Sequence, residues 1–224
     1  MLEHAEPAPA SSWLDAALAR FFADNEELAP RTRALLDLVV VEPQRHARMI
    51  NTLSLLEHMG SHKIMATQRS AAIDQATLKH VAEEAHHAFF MKRQAEKTAE
   101  RALEYVADDL LAPSSARMYF QRLEAATVRA LGPRRSARAA YLHMSMIVEF
   151  RALWFYGLYE QALKRAQHAL SLKRVLGEEQ AHLGDMAARL EAGNELDDAR
   201  AAEVLAAERK LYSGLLGALE QAAA

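Results

Sequence analysis

The sequence predicts an all-α fold, a four-helix bundle built from two helical hairpins with additional N-terminal, crossover and C-terminal helices. Three observations lead there. The chain of 224 residues has only 8 glycines and 6 prolines to punctuate it. Alanine and leucine, which lose little on entering a helix, are abundant. Apolar residues recur at helical spacing, whereas the strict alternation of a half-buried strand is missing. The length suits one substantial core, so 1–224 is expected to form a single helical domain whose central bundle covers about 43–190.

Helix signals can be read in order along the chain. A first helix is expected after Ser12 and a second after Pro30. A third starts at Pro43, because proline suits a first turn whose amide would be unbonded anyway, and runs to about Gln68. A break over Ser70 to Asp74 follows, with Asp74 as N-cap of a helix reaching about Val106. Asp108 to Ser115 reads as a turn-rich link, and Ser114 or Ser115 as the cap of a shorter helix ending near Gly132, before Pro133. Apolar periodicity resumes from Ser136 to about Gln167. Ser171 caps the next helix, Gly193 and Asn194 end it, and Asp197 to Glu220 forms a last amphipathic helix. The total is seven or eight helices, with the long ones in hairpins at Pro43 to Val106 and Ser136 to Leu190.

Composition narrows the chemistry. The absence of cysteine excludes disulfides, thiolate-held clusters and cysteine nucleophiles, leaving histidine and carboxylates as candidate metal ligands. With 27 Lys plus Arg against 30 Asp plus Glu, a net charge of −3 argues against a nucleic-acid partner. Acids and prolines in the first residues do not make a secretory signal, so that stretch reads as a frayed cytoplasmic terminus and the expected location is cytoplasmic. The most apolar stretches, Leu38 to Val41 and Phe150 to Leu158, are interrupted or bounded by Glu42, Arg151 and Glu160, far short of a membrane span. No membrane partner is expected.

One short element occurs twice. The second helix of the first hairpin carries Glu83, Glu84, Ala85, His86, His87, and that of the second carries Glu178, Glu179, Gln180, Ala181, His182. Both read Glu-Glu-x-x-His. Three residues along a helix turn through about 300°, so Glu84 with His87, and Glu179 with His182, each project from one face and can hold the same ion. A site within a bundle also needs carboxylates from the other two long helices at matching height. Glu57, 27 residues before Glu84, and Glu149, 30 before Glu179, satisfy this if each hairpin folds at the midpoint of its pair, near Ser70 in the first, whereas the second needs its turn displaced from Lys164 toward Ser171.

The apolar faces favour this register. Val81, Ala88, Met91 and Ala95 lie in line with Glu84, with Thr77 the one polar member, whereas the rival pair Glu83 and His86 shares its face with Lys79, Gln94 and Lys97. Glu149 falls in line with Leu142, Met146, Leu153 and Tyr156, and Glu179 with Leu172, Val175, Leu176, Leu183 and Met186. Glu57 falls in line with Ile50, Leu53 and Ile64. Four carboxylates aimed into such a core are strongly unfavourable unless protonated or neutralised, and two divalent cations supply the missing charge.

The order Glu, Glu-x-x-His, Glu, Glu-x-x-His over two hairpins resembles the ferritin-like di-iron carboxylate superfamily across roughly residues 43 to 190. The resemblance implies two iron ions, with manganese or a mixed Mn/Fe pair as alternatives. It implies Glu84 and Glu179 as bridges, Glu57 and His87 completing one site, and Glu149 and His182 the other. It also gives Glu83 and Glu178, the acids just before the bridges, the part of orienting a histidine through its second ring nitrogen. The stretch His80 to His87 is similar to the aminobenzoate N-oxygenases, whose His-x-x-x-Glu-x-x-His supplies a third histidine, which here would be His80 on the earlier hairpin. The implied activity is that of a non-haem di-iron oxidase or oxygenase acting on a small organic substrate with dioxygen and an external electron donor. The alternatives are a ferritin-like ferroxidase or iron-storage protein and a metal-free helical interaction protein. A homodimer is left open. His58, His62, His143 and His168 are read as surface or satisfied core residues, and Trp154, Tyr156 and Tyr159 as packing or pocket residues. Arg134, Arg135 and Arg138 are read as a solvated helix start.

Overall fold

The structure is a computed structural model that describes residues 12–68, 73–133 and 135–224. Among the described residues there are eight α-helices and no strand. They are α1 (Ser12–Asp24), α2 (Ala29–Val40), α3 (Pro43–Thr67), α4 (Gln75–Ala99), α5 (Pro113–Leu131), α6 (Ala137–Arg165), α7 (Lys173–Ala192) and α8 (Asp198–Ala223). Ser70 within the expected break, Arg134 and the chain's first eleven residues lie outside the described residues. No described helix is long and apolar enough to cross a membrane.

Two long hairpins dominate. α3 packs along α4, α6 packs along α7, and side chains from all four meet in the interior. α5 and α8 pack against one another beside this group, and α2 lies against α6, α3 and α8. One continuous apolar core runs through the molecule, with Ile50, Met91, Leu142, Met146, Phe150 and Leu190 fully buried. Burying each such side chain contributes about 1.5–3 kcal/mol relative to exposing it.

The helix starts follow from local chemistry. Asp74, Ser136 and Asp197 each cap a helix by accepting from the backbone N–H of Thr77, Ala139 and Arg200. Glu42 does the same at α3, accepting from Gln44 and Arg45 ahead of a first-turn Pro43.

Three boundaries depart from expectation. α4 stops at Ala99 rather than near Val106, because Glu100 turns left-handed at φ 55°. The chain from there to Ala112 is irregular apart from one 3₁₀ turn. Side chains of α3 hold it: Asn51 Nδ2 donates to the carbonyls of Glu104 and Asp109, and Arg48 to that of Leu110. α5 starts at Pro113 behind a left-handed Ala112, so neither Ser114 nor Ser115 is its cap. At α7 the N-cap position belongs to Leu172, whose N–H donates to Glu160 Oε2 of α6 at 2.7 Å, in place of the expected Ser171 cap.

Candidate metal centre

Each long helix of the two hairpins brings its acid to the same level. α3 supplies Glu57; α4 supplies His80, Glu84 and His87; α6 supplies Glu149; α7 supplies Glu179 and His182. All seven are buried. They form two groups in which the ligand atoms lie within 4.8 Å of one another: Glu57, Glu84, His87 and Glu179 in one, and His80, Glu84, Glu149 and His182 in the other. Glu84 belongs to both.

Distances define the centre. Glu84 Oε1 lies 3.3 Å from His80 Nε2, 3.4 Å from His182 Nδ1 and 4.0 Å from His87 Nδ1. Glu179 straddles the two groups, with Oε1 3.2 Å from His87 Nδ1 and Oε2 3.1 Å from His182 Nδ1. Glu149 Oε1 is 3.2 Å from His80 Nε2 and 3.7 Å from His182 Nδ1. The Tyr156 hydroxyl donates to Glu57.

The far ring nitrogens of the histidines are held as well, across the two hairpins. His87 Nε2 meets Glu178 Oε2 at 2.8 Å, and His182 Nε2 meets Glu83 Oε2 at 2.9 Å. His80 Nδ1 meets the Tyr141 hydroxyl at 2.8 Å. A carboxylate accepting from Nε2–H fixes the ring and leaves Nδ1 facing inward, where it can donate a lone pair once its proton is displaced. Glu83 and Glu178 thereby explain why the acids are doubled in the sequence.

Electrostatics show a cluster under tension. Burial raises the Glu57 carboxyl well above its ordinary value, and the nearby Glu84 and Glu179 raise it further. Burial also raises Glu179, to about 8, with Glu149 and Glu84 adding to it. Burial likewise disfavours charge on Glu84, but the His182 and His80 imidazoles close beside it outweigh that cost and hold the carboxyl low. Against their own desolvation, the carboxylates lift His80 to about 11 and His87 to about 10 and raise His182 strongly. Protons on imidazole thus do part of the neutralising that the four acids require.

The donor set fits a pair of divalent cations. Glu84 Oε1 and His87 Nδ1 are buried without any hydrogen-bond partner, although buried polar atoms are normally paired. Both lie in the interior of the cluster. Four carboxylates and three imidazoles, with no thiolate, match the oxygen-rich preference of iron or manganese.

The six residues expected from the sequence, Glu57, Glu84, His87, Glu149, Glu179 and His182, are therefore brought together, and His80 joins them. The rival His86 is exposed, and Glu83 serves His182 instead. His46 and Glu160, also buried, lie elsewhere: His46 Nε2 pairs with the Tyr159 hydroxyl, and Glu160 takes up the start of α7. His58 and His62 are exposed; His143 is buried with Nδ1 against the Ala139 carbonyl. Tyr141 escaped the sequence reading because its apolar neighbours give it the pattern of an ordinary core residue.

Two cavities, each about 80 Å³, reach the cluster from the side covered by α5. The first runs past His80, Glu84 and Glu149, and the Lys63–Glu124 ion pair is at its lining. Gly60 widens it there, since a Cβ at that position would come 3.5 Å from Glu84 Oε2. The second touches Glu57, Glu84, Glu149 and Glu179 and is otherwise walled mostly by apolar side chains from α3, α6 and α8. Phe120 and Val148 line both.

The chain matches no protein-family model, no curated protein and no solved structure.

Proposed function

We propose that this protein is a non-haem di-iron oxidase or oxygenase of ferritin-like architecture, acting on a small organic substrate. The observation that carries the reading is the pair of four-residue ligand groups sharing Glu84, with Glu179 set between His87 and His182. Glu57, Glu84, His87 and Glu179 would hold one ion, and His80, Glu84, Glu149 and His182 the other. A ferrous pair so held would supply electrons for the reduction of dioxygen, with an external donor needed to restore it.

The chain's own residues do the rest. Glu83 and Glu178 orient His182 and His87, and Tyr141 orients His80. Tyr156 gives Glu57 a hydrogen bond that keeps the acid in place while it changes protonation. Helices α5 and α8 cover the side on which the cavities open, which keeps bulk water from the cluster. The apolar second cavity favours organic substrate over iron traffic, for which a polar path would serve better.

Anaerobic titration with Fe²⁺, followed by elemental analysis after desalting, tests this. Two irons per chain in the wild type, and one or none in Glu84→Ala, is the expected result. A wild-type chain that retains no iron or manganese overturns the assignment and leaves a metal-free helical protein.

A further inference from the structure

Beside the second cavity lies a buried polar nest that takes no part in the metal cluster. Arg151 of α6 is only 6% exposed. Its Nε donates to Glu208 Oε1 at 2.8 Å, and its Nη2 donates to Glu208 Oε2 and Asn25 Oδ1, both at 2.7 Å. The Tyr119 hydroxyl completes Glu208 at 2.7 Å, and Asn25 Nδ2 donates to the Phe21 carbonyl. One group is left over: Arg151 Nη1 is buried without a hydrogen-bond partner. The guanidinium is also fixed in orientation, its carbon 3.9 Å from the Tyr212 ring centre and 4.8 Å from those of Phe21 and Trp154.

Arg151 lines the same cavity as Glu57, Glu84, Glu149 and Glu179. The helix explains how. Val148, Ala152 and Phe155 form one stripe of α6 along the cavity, with Glu149 on one flank and Arg151 on the other. The cavity thus has the clustered acids on one flank of α6 and Arg151, whose Nη1 has no protein partner, on the other, with the small Ala152 and with Leu53, Leu56, Leu215 and Leu219 also lining it.

We propose that this cavity binds a mostly apolar, uncharged molecule carrying one hydrogen-bond-accepting oxygen, and that Arg151 Nη1 receives that oxygen. The neutrality follows from Glu208, which already balances the guanidinium through two hydrogen bonds. A carboxylate placed there would be a further buried charge without a counterion. A carbonyl or hydroxyl oxygen satisfies the orphan donor and adds no charge. The identity of this molecule as the substrate rests on the di-iron reading, whereas its binding does not. Arg151 is then a specificity-determining residue, anchoring one end of the molecule while the remainder extends toward the cluster.

The test uses the metal-free full-length chain with 2-hexanone and hexanoate as probes, followed by NMR titration. In the wild type, 2-hexanone is expected to bind at least tenfold more tightly than hexanoate and to shift the Arg151 guanidinium resonances. Arg151→Met combined with Glu208→Leu removes both charges together, so neither is stranded, and should weaken 2-hexanone binding tenfold or more. Ala152→Phe should block it. If the guanidinium resonances do not move at the highest soluble 2-hexanone concentration, or hexanoate binds more tightly, the proposal is overturned. The wild-type signal decides even if the double variant does not fold. Iron binding is measured separately, so loss of 2-hexanone binding leaves the di-iron reading standing, and loss of iron binding leaves the cavity assignment standing.

Discussion

Glu57 and His46 show how single buried groups set the pH response of the metal-free protein. Burial raises the Glu57 carboxyl, and Glu84 and Glu179 raise it further, while His87 and the Tyr156 hydrogen bond act in the opposite direction. An acid whose folded pKa exceeds its unfolded value costs stability as pH rises above about 4.5. Glu57→Gln cannot ionise and keeps an oxygen for Tyr156 to donate to. It should therefore stabilise the metal-free chain at pH 8 by on the order of 1 kcal/mol, a usual size for one substitution. The gain should shrink toward pH 4.5, as urea unfolding at the two pH values would show. The same variant should lose part of its response to Fe²⁺ if Glu57 is a ligand as proposed, because a candidate carboxylate has gone.

His46 works with the opposite sign. Burial, assisted by His168, lowers it to about 4. The unfolded chain then takes up the proton first, so stability falls as pH drops from about 6.5 to about 4, by up to about 3 kcal/mol. His46→Gln should flatten unfolding free energy over that window while leaving the slope above pH 7 unchanged. An unaltered slope between pH 4 and 6.5 would show that His46 is not the titrating group.

At the level of helices, most starts were legible, but the caps of α5 and α7 and the stop of α4 were not. Pro43, Asp74, Ser136 and Asp197 announce their helices because capping is a property of one residue and the next three. The end of α4 carries no such mark. Glu100 adopts the left-handed conformation that glycine usually supplies, since Asn51 and Arg48 of α3 capture the carbonyls of the following segment. That tertiary cause is invisible in a local window. Glu100 is exposed, so Glu100→Gly relieves the backbone strain at little cost in contacts and should raise stability by about 1 kcal/mol. Chemical denaturation with an unchanged m-value would register it. The clustered pairs Glu84 with His87 and Glu179 with His182 were legible for a related reason: an acid that interrupts an apolar stripe three residues before a histidine is a local pattern, and it repeats. His80 sits a further turn back, where sequence could not separate a ligand from a surface histidine. Its burial depends on Tyr141 and Glu149 from α6. Arg151 was visible only as a charge interrupting an apolar stretch. Its partners Asn25 and Glu208 lie 126 and 57 residues away.

For the whole molecule, the consequence of this layout is that folding and the proposed metal binding would be one equilibrium. The seven candidate ligands come from α3, α4, α6 and α7, so no single hairpin holds a complete site. Unfolding either hairpin would dismantle both groups, because Glu84 and Glu179 stand on opposite hairpins and each is close to His87 and His182. With free Fe²⁺ about 100-fold above Kd, each independent site would add about 2.7 kcal/mol of stability. For a chain of this size, about 2–4 °C accompanies each kcal/mol, so two sites should raise Tm by on the order of 10 °C. A bound metal would also have to displace protons, since the carboxylates lift His80 to about 11 and His87 to about 10 in the metal-free chain. The rise should consequently be larger at pH 8 than at pH 6, with protons released to the buffer on binding. Anaerobic scanning calorimetry at both pH values, with a chelator to reverse the effect, makes the measurement. Glu84→Ala should lose most of the rise because its carboxylate serves both groups, whereas Glu42→Ala, which only weakens the cap of α3, should retain it at a lower starting Tm. An equal response in these two variants would mean that the iron binds somewhere other than between the hairpins.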